Sequence, residues 1–258
     1  MDYSLQTYSK DKTIRHYADQ KELLMPEKKI FDILEKELGG MRMLDIGIGT
    51  GRTTIHFADR VKEYVGFDYS EGMITYCKKV FTEQENKISF STRDIRDLKE
   101  FPDQSFDFIL GSFNCIDYIS HHEREEVLCE MFRICKPGGY LSFSTHNINS
   151  LNELFKFKLR KNIFVMIRNL SFRKKLKRIN GDLLSLMKKE YIIINDGSFN
   201  FGMETYYSKP QLTIDLIKKT GFINLRIFDL AEGSEMSTDN RLMENTDFYL
   251  YYLCNKPQ

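Results

Sequence analysis

The residues best suited to chemistry begin with Leu44-Asp45-Ile46-Gly47-Ile48-Gly49-Thr50-Gly51. An apolar run ends at Ile46, and three glycines at alternate positions turn the chain towards a helix. Glycine has no Cβ, so backbone N–H groups in such a turn can approach a ligand closely. The spacing discriminates between ligands. A dinucleotide site uses G-x-G-x-x-G with a pyrophosphate over the helix N-terminus. Here the third glycine falls one residue early, at Gly51, and Arg52 stands in its place. Asp45 sets a carboxylate just ahead of the first glycine, which repels a pyrophosphate and suits an ammonium group. Asp68 ends the next apolar run, where a carboxylate can accept from both hydroxyls of a ribose. The plain alternatives are a ligand-free tight turn for the glycines and a solvated or capping role for Asp68. Together the two features favour a bound ribose.

Regular alternation must hold these residues in place. Pro26-Glu27 opens a helix with Ile30, Phe31, Ile33, Leu34 and Leu38 on one face, ending at Gly39-Gly40. Strands are expected at Met41–Ile46, Lys62–Phe67, Ile88–Thr92, Phe106–Gly111 and Tyr140–Ser144. Helices are expected over Thr53–Asp59, after the N-cap Ser70, and over Arg124–Cys135. Such alternation implies a parallel, doubly wound sheet. The rhythm breaks at about Asn147 and resumes where Ser208-Lys209-Pro210 starts a helix ending at Gly221. Ile223–Leu230 and Phe248–Cys254 then read as two antiparallel strands joined by a polar loop with no helix.

The motifs in this order resemble those of class I S-adenosylmethionine-dependent methyltransferases of the small-molecule, metal-independent type. Leu44–Gly51 resembles motif I, and Val65-Gly66-Phe67-Asp68-Tyr69-Ser70 its acidic loop. Arg93-Asp94-Ile95-Arg96-Asp97-Leu98 resembles the segment bracketing adenine, Phe106–Asn114 resembles motif IV, and Cys135-Lys136-Pro137-Gly138-Gly139-Tyr140 resembles the turn before the fifth strand. The resemblance implies S-adenosyl-L-methionine as cofactor, held by Asp45, Gly47, Gly49, Gly51, Asp68, Tyr69, Asp94, Ile95, Ser112 and Asn114. Asp94 would accept from the adenine amine and Ile95 stack on the ring. It implies a Rossmann-like, seven-stranded sheet of order 3-2-1-4-5-7-6 whose last strand is antiparallel. Motif IV lacks the Asn/Asp-Pro-Pro-Tyr run of many nucleic-acid N-methyltransferases, and no metal pattern of the catechol type is present.

Methyl transfer to oxygen or a protonated amine needs positioning and a base. His146, in Ser144-Thr145-His146-Asn147, should face the cleft at the carboxyl end of the fifth strand. Imidazole is suited to taking a proton near neutral pH; the alternative is a hydrogen bond to a loop carbonyl. Asp117 is either a second base or the start of a helix. Tyr17, with Tyr8 and Arg15 nearby, either closes the site or packs on the surface. His121 and His122 read as surface residues.

The chain of 258 residues is divided into an arm (1–25), a cofactor-binding domain (26–146 with 208–258) and a helical insertion (147–207). Between Leu151 and Asn180 lie ten lysines and arginines and one acid, a local charge of +9 that leaves −8 for the rest of a chain whose net charge is +1. Leu151, Leu154, Phe155, Leu159, Ile163, Phe164, Met166, Ile167 and Leu170 recur near helical spacing, as a lid or dimer face. The basic residues form either a solvated face or a site for a phosphate- or carboxylate-bearing acceptor, with Glu204, Tyr206 and Tyr207 as further pocket candidates. The alternatives to a small acceptor are an RNA substrate, whose binding would fall steeply with salt, and a non-catalytic nucleoside-binding module. A nicotinamide enzyme is disfavoured by the glycine spacing. Five scattered cysteines without a C-x-x-C pair point to reduced thiols in the cytoplasm. No apolar run is long enough for a membrane span; monomer and homodimer both remain open.

Overall fold

The computed structural model describes residues 11–81, 87–156, 162–236 and 240–258. In chain order it begins with α1 (Asp11–Ala18), α2 (Met25–Leu38), β1 (Arg42–Ile46), α3 (Thr54–Phe57), β2 (Glu63–Asp68), α4 (Glu71–Val80), β3 (Ile88–Thr92), β4 (Phe106–Gly111), α5 (His121–Ile134) and β5 (Cys135–Asn147). There follow α6 (Leu151–Phe155), α7 (Ile163–Asn180), α8 (Leu183–Met187), β6 (Tyr191–Ile194), β7 (Thr205–Ser208), α9 (Pro210–Thr220), β8 (Ile223–Phe228), β9 (Glu235–Met236), α10 (Asn240–Glu244) and β10 (Tyr249–Asn255). Local signals set many of these limits. Ser70 accepts from the Met73 N–H at the start of α4, and Ser120 with Glu123 forms a capping box on α5. Proline opens α9, and Gly221 at φ 100° closes it.

The main sheet has the order β3-β2-β1-β4-β5-β10-β8-β9. From β3 to β5 the neighbours are parallel, while β10 runs antiparallel between β5 and β8. This is the expected Rossmann-like arrangement. One face is covered by α2, whose Ile30, Leu34 and Leu38 pack with Met43, Tyr64 and Phe108. On the other, Val127, Leu128 and Met131 of α5 and Ile214 and Ile217 of α9 pack with Leu44, Ile109 and Leu141. Each fully buried aliphatic side chain contributes about 1.5–3 kcal/mol. Strand order reverses between β1 and β4, and a crevice opens there beyond the carboxyl ends.

Three expectations need correction. The insertion is not wholly helical, because β6 and β7 form an antiparallel pair and β7 joins β5 through His146↔Tyr207 and Asn147↔Ser208. Tyr191-Ile192-Ile193-Ile194 is apolar throughout, so its period of two shows only in burial: Ile192 and Ile194 are inward, Tyr191 and Ile193 exposed. β5 runs on to Asn147, since β10 pairs with it as far as Tyr249↔His146, so His146 lies within the strand rather than after it. Finally, the connection from β8 to β10 contains β9 and α10.

Candidate active site

Gly47 has φ +70°, and a Cβ there would lie 2.6 Å from Cys115 Cβ. Any side chain would thus be strained and would clash. Gly49, at φ +54°, meets nothing within 4 Å and borders open space. Its N–H donates to Asp68 Oδ2 at 2.9 Å, while Asp68 Oδ1 accepts from the Ser70 N–H at 2.9 Å. Asp68 therefore clasps the glycine loop and the N-cap residue of α4 at once. Burial pushes its carboxyl above the usual range, against these two hydrogen bonds.

Asp45 lies beneath the loop, 1% exposed, where Oδ2 accepts from Thr53 Oγ1 and Tyr64 OH, both at 2.5 Å. Burial pushes this carboxyl up to about 7. The folded state then holds a proton that the unfolded chain releases near pH 4. This stabilisation is complete below pH 4 and is lost as pH rises towards 7, by at most about 1.4 kcal/mol per pH unit. Asp45→Asn should therefore flatten the dependence of melting temperature on pH across this window; a variant curve parallel to wild type would count against the shift.

Above the loop lies a cavity of about 1070 Å³, including its open mouth. Gly47, Gly49, Asp68, Tyr69, Asp94, Ile95 and Ser112 line it, with Tyr17 of α1, Arg52, Met73 and Phe113. Asp45, Gly51, Asn114, Asp117 and His146 are not in the lining. Asp94 is held by Arg96, through Nε at 2.9 Å and Nη2 at 2.5 Å, and this hydrogen bonding keeps its carboxyl below the usual range. Arg52 reaches under the cavity to Glu27 of α2, binding it through both terminal nitrogens. Ser112 also donates to Glu27, and Tyr251 OH donates to it at 3.0 Å. Burial alone would raise the Glu27 carboxyl, but Arg52, Ser112 and the Leu24 N–H hold it below the usual range.

A second cluster stands at the end of β5. Asp117, in a 3₁₀ turn after β4, is fully buried. Its Oδ1 accepts from Arg124 Nη1 and from Thr145 Oγ1, both at 2.6 Å. Its Oδ2 accepts from the His146 N–H at 2.7 Å and faces His146 Nδ1 at 2.6 Å. Burial pushes the Asp117 carboxyl up, but Arg124 and His146 outweigh it and hold the group below its ordinary value. An ionised carboxylate only accepts, so Nδ1 carries the hydrogen, which leaves Nε2 as the acceptor nitrogen of the neutral ring. With both oxygens occupied, Asp117 orients His146 and is not itself the free base.

Register builds the walls around this imidazole. His146 pairs with Tyr207 on one side and Tyr249 on the other, with ring centroids 4.7 and 5.7 Å away. Tyr249 meets Phe113 at 6.1 Å, and Phe113 meets Tyr17 at 6.4 Å. This aromatic row joins the cavity to His146. Phe113 and Asn114 have φ of 52° and 60°, a left-handed pair of non-glycine residues of the kind that gathers at functional sites. Asn114 donates its N–H to Ser144 Oγ at 2.8 Å, and its buried side-chain oxygen has no partner among the described residues.

Several candidates move. His121 is not simply a surface residue: Nδ1 lies 2.8 Å from Tyr206 OH, and the ring stacks on Tyr191 at 4.1 Å. Glu204, Tyr206 and Tyr207 are absent from the lining of the cavity above the glycine loop; Glu204 is exposed and Tyr206 is a core residue, while buried Tyr207 packs on the His146 ring. Tyr8, Lys158, Leu159, Arg160 and Lys161 lie outside the described residues. Glu27, Phe113 and Tyr249 were not singled out in the sequence; Arg52, replacing a glycine, was the one visible hint of the buried ion pair.

A sequence model described as a methyltransferase domain matches residues 43–139. The demethylmenaquinone methyltransferase of Staphylococcus aureus is 29% identical over 210 residues, 77% of this chain and 76% of that protein. The ubiquinone biosynthesis O-methyltransferase of Hahella chejuensis is 30% identical over 119 residues, 46% of this chain and 48% of that protein. Matches cover about half or less of the length of other curated relatives. In fold, the chain is similar to an S-adenosylmethionine-dependent methyltransferase from Mesorhizobium loti, with a TM-score of 0.62 at 15% identity, covering 90% of this chain and 98% of that one.

Proposed function

Residues 43–139 are a class I S-adenosylmethionine-dependent methyltransferase domain, and from that premise we propose that the protein methylates an oxygen of a small, planar acceptor bound against His146. The observation carrying this reading is the Asp117–His146 pair, 2.6 Å apart, at the end of β5. When bound, S-adenosylmethionine supplies a sulfonium-activated methyl group and leaves as the neutral thioether. Asp68 would hold the ribose, the Gly47–Gly51 loop would hold the amino-acid end, and Ile95 and Met73, both in the cavity lining, would provide apolar contact for the base. His146 Nε2 takes the proton released by the acceptor hydroxyl, while Asp117, shared with Arg124, holds the ring through Nδ1. Tyr17 and Phe113 shield the reacting centre from water.

A planar acceptor is supported by the aromatic walls formed by Phe113, Tyr207 and Tyr249, and by two relatives named for demethylmenaquinone and for ubiquinone biosynthesis. A nitrogen acceptor would use the same base. An anionic acceptor has thinner support, since Arg52, Arg93 and Arg96 at the cavity already pair with Glu27, Glu100 and Asp94. Five free thiols suit a reducing, cytoplasmic setting.

Calorimetry with S-adenosylhomocysteine tests the cofactor site. Asp68→Ala should weaken binding by about a hundredfold, through loss of charge-assisted hydrogen bonds of about 1.5–3 kcal/mol. A melting curve without ligand separates this from loosening of the glycine loop. Equal affinity in the folded variant would remove Asp68 from the site. A screen of planar phenols for methyl transfer then tests the acceptor class.

A further inference from the structure

The methyltransferase site makes no use of α7, yet its outer surface is unusual. Ile163, Phe164, Ile167 and Leu170 are 53%, 78%, 53% and 45% exposed. Ile163, Ile167, Leu170, Lys174 and Lys177 follow at steps of three and four, and Arg178 lies four residues beyond Lys174, so they form one stripe, apolar in its first half and basic in its second. The helix has six lysines and arginines and no acid. Two of these face inward and are engaged: Arg173 Nε donates to Phe155 O at 2.7 Å, and Lys175 lies 4.0 Å over the Phe201 ring. Arg168, Lys174, Lys177 and Arg178 make no ion pair among the described residues.

The opposite side of α7 is already anchored. Leu176 is fully buried and Phe172 partly so, packed in a local core with Phe155, Ile192 and Tyr207. The exposed stripe therefore does not await its own domain.

We propose that α7 docks the protein on an anionic lipid surface, with Ile163, Phe164, Ile167 and Leu170 entering the headgroup boundary and the following cations meeting lipid phosphates. Apolar burial and attraction of basic side chains to anionic lipid act together in helices that lie in a membrane interface. A merely solvated basic face has no use for a phenylalanine 78% exposed. RNA phosphates would engage the cations and leave the aliphatic side chains in water. Pairing two copies through this stripe would set like charges against one another. No described helix is long and apolar enough to cross a membrane, so the mode is adsorption rather than spanning.

Sedimentation of the full chain with vesicles tests this, comparing phosphatidylglycerol–phosphatidylcholine mixtures with phosphatidylcholine alone. Binding should be at least about tenfold stronger to the anionic vesicles and should weaken with added salt. Lys174→Glu with Arg178→Glu should lower it by about tenfold or more, and so should Phe164→Ser with Ile167→Ser, although the latter pair leaves every charge in place. Unchanged melting temperatures establish that the variants are folded. No sedimentation with anionic vesicles, or equal sedimentation with neutral ones, overturns the proposal. So does binding indifferent to the Phe164 and Ile167 changes, which would mark a general polyanion site such as an RNA surface. A dimer in light scattering that Phe164→Asp dissociates would assign the stripe to a second copy instead.

Discussion

His146→Ala should lower kcat by about 10²–10⁴-fold, the usual contribution of a positioned proton acceptor. S-adenosylhomocysteine affinity should stay within about threefold, because a group acting on the acceptor's proton changes the chemical step rather than cofactor binding. The geometry motivates the separation: His146 is not in the lining of the cofactor cavity, yet the Phe113 and Tyr249 rings connect the two places. The check is kcat with a planar acceptor that the wild type methylates, alongside calorimetry on the same preparation. A variant retaining kcat within about threefold would show that the acceptor loses its proton elsewhere, since no base-catalysed step tolerates removal of its base so lightly.

Asp117→Ala should destabilise the fold by about 3–5 kcal/mol, the cost of leaving a buried charge without its partner. The stranded charge is Arg124, 1% exposed and 2.6 Å from the Asp117 carboxylate. Its other hydrogen bonds, to Ile116 O at 2.6 Å and Thr145 Oγ1 at 3.0 Å, cannot neutralise it. Replacing both members, as Asp117→Leu with Arg124→Met, should recover most of the stability because no ion then remains to be desolvated. The double replacement should still lack activity, since His146 loses the acceptor that fixes its tautomer. Urea midpoints for the two single variants and the double form a cycle that measures the coupling. A loss below about 1 kcal/mol for Asp117→Ala would mean that water reaches Arg124.

These two expectations rest on contacts that lie far apart along the chain, and this is where the sequence stops being legible. His146 and Asp117 could each be placed at a strand end, but not as one unit, because their pairing depends on how β5 extends and how the turn after β4 folds back. Asp117 therefore read as a rival base, although its two oxygens hold Arg124, Thr145 and His146. Glu27 gave no signal as a site residue: it occupies an ordinary first-turn position of α2, and only packing brings it to Arg52, Ser112 and Tyr251. The β6–β7 pair escaped for a different reason, since an unbroken apolar run has no alternation from which to infer a strand.

What the sequence by itself determined is what local physics enforces. Alternation of apolar runs and amphipathic stretches imposed the doubly wound sheet, since each element must bury one face. Glycines at 47 and 49 dictated the loop, because their positive φ and the lack of room beside Gly47 exclude other residues. Asp68, directly after an apolar strand, was bound to stand at that loop. Only the tertiary structure decided which side chains share a charge, a proton or a wall. The Asp117–His146 pair, the Glu27–Arg52 pair, the tyrosines flanking His146 and the outward turn of the α7 stripe all follow from non-local register and packing, for which no short window of sequence carries the information.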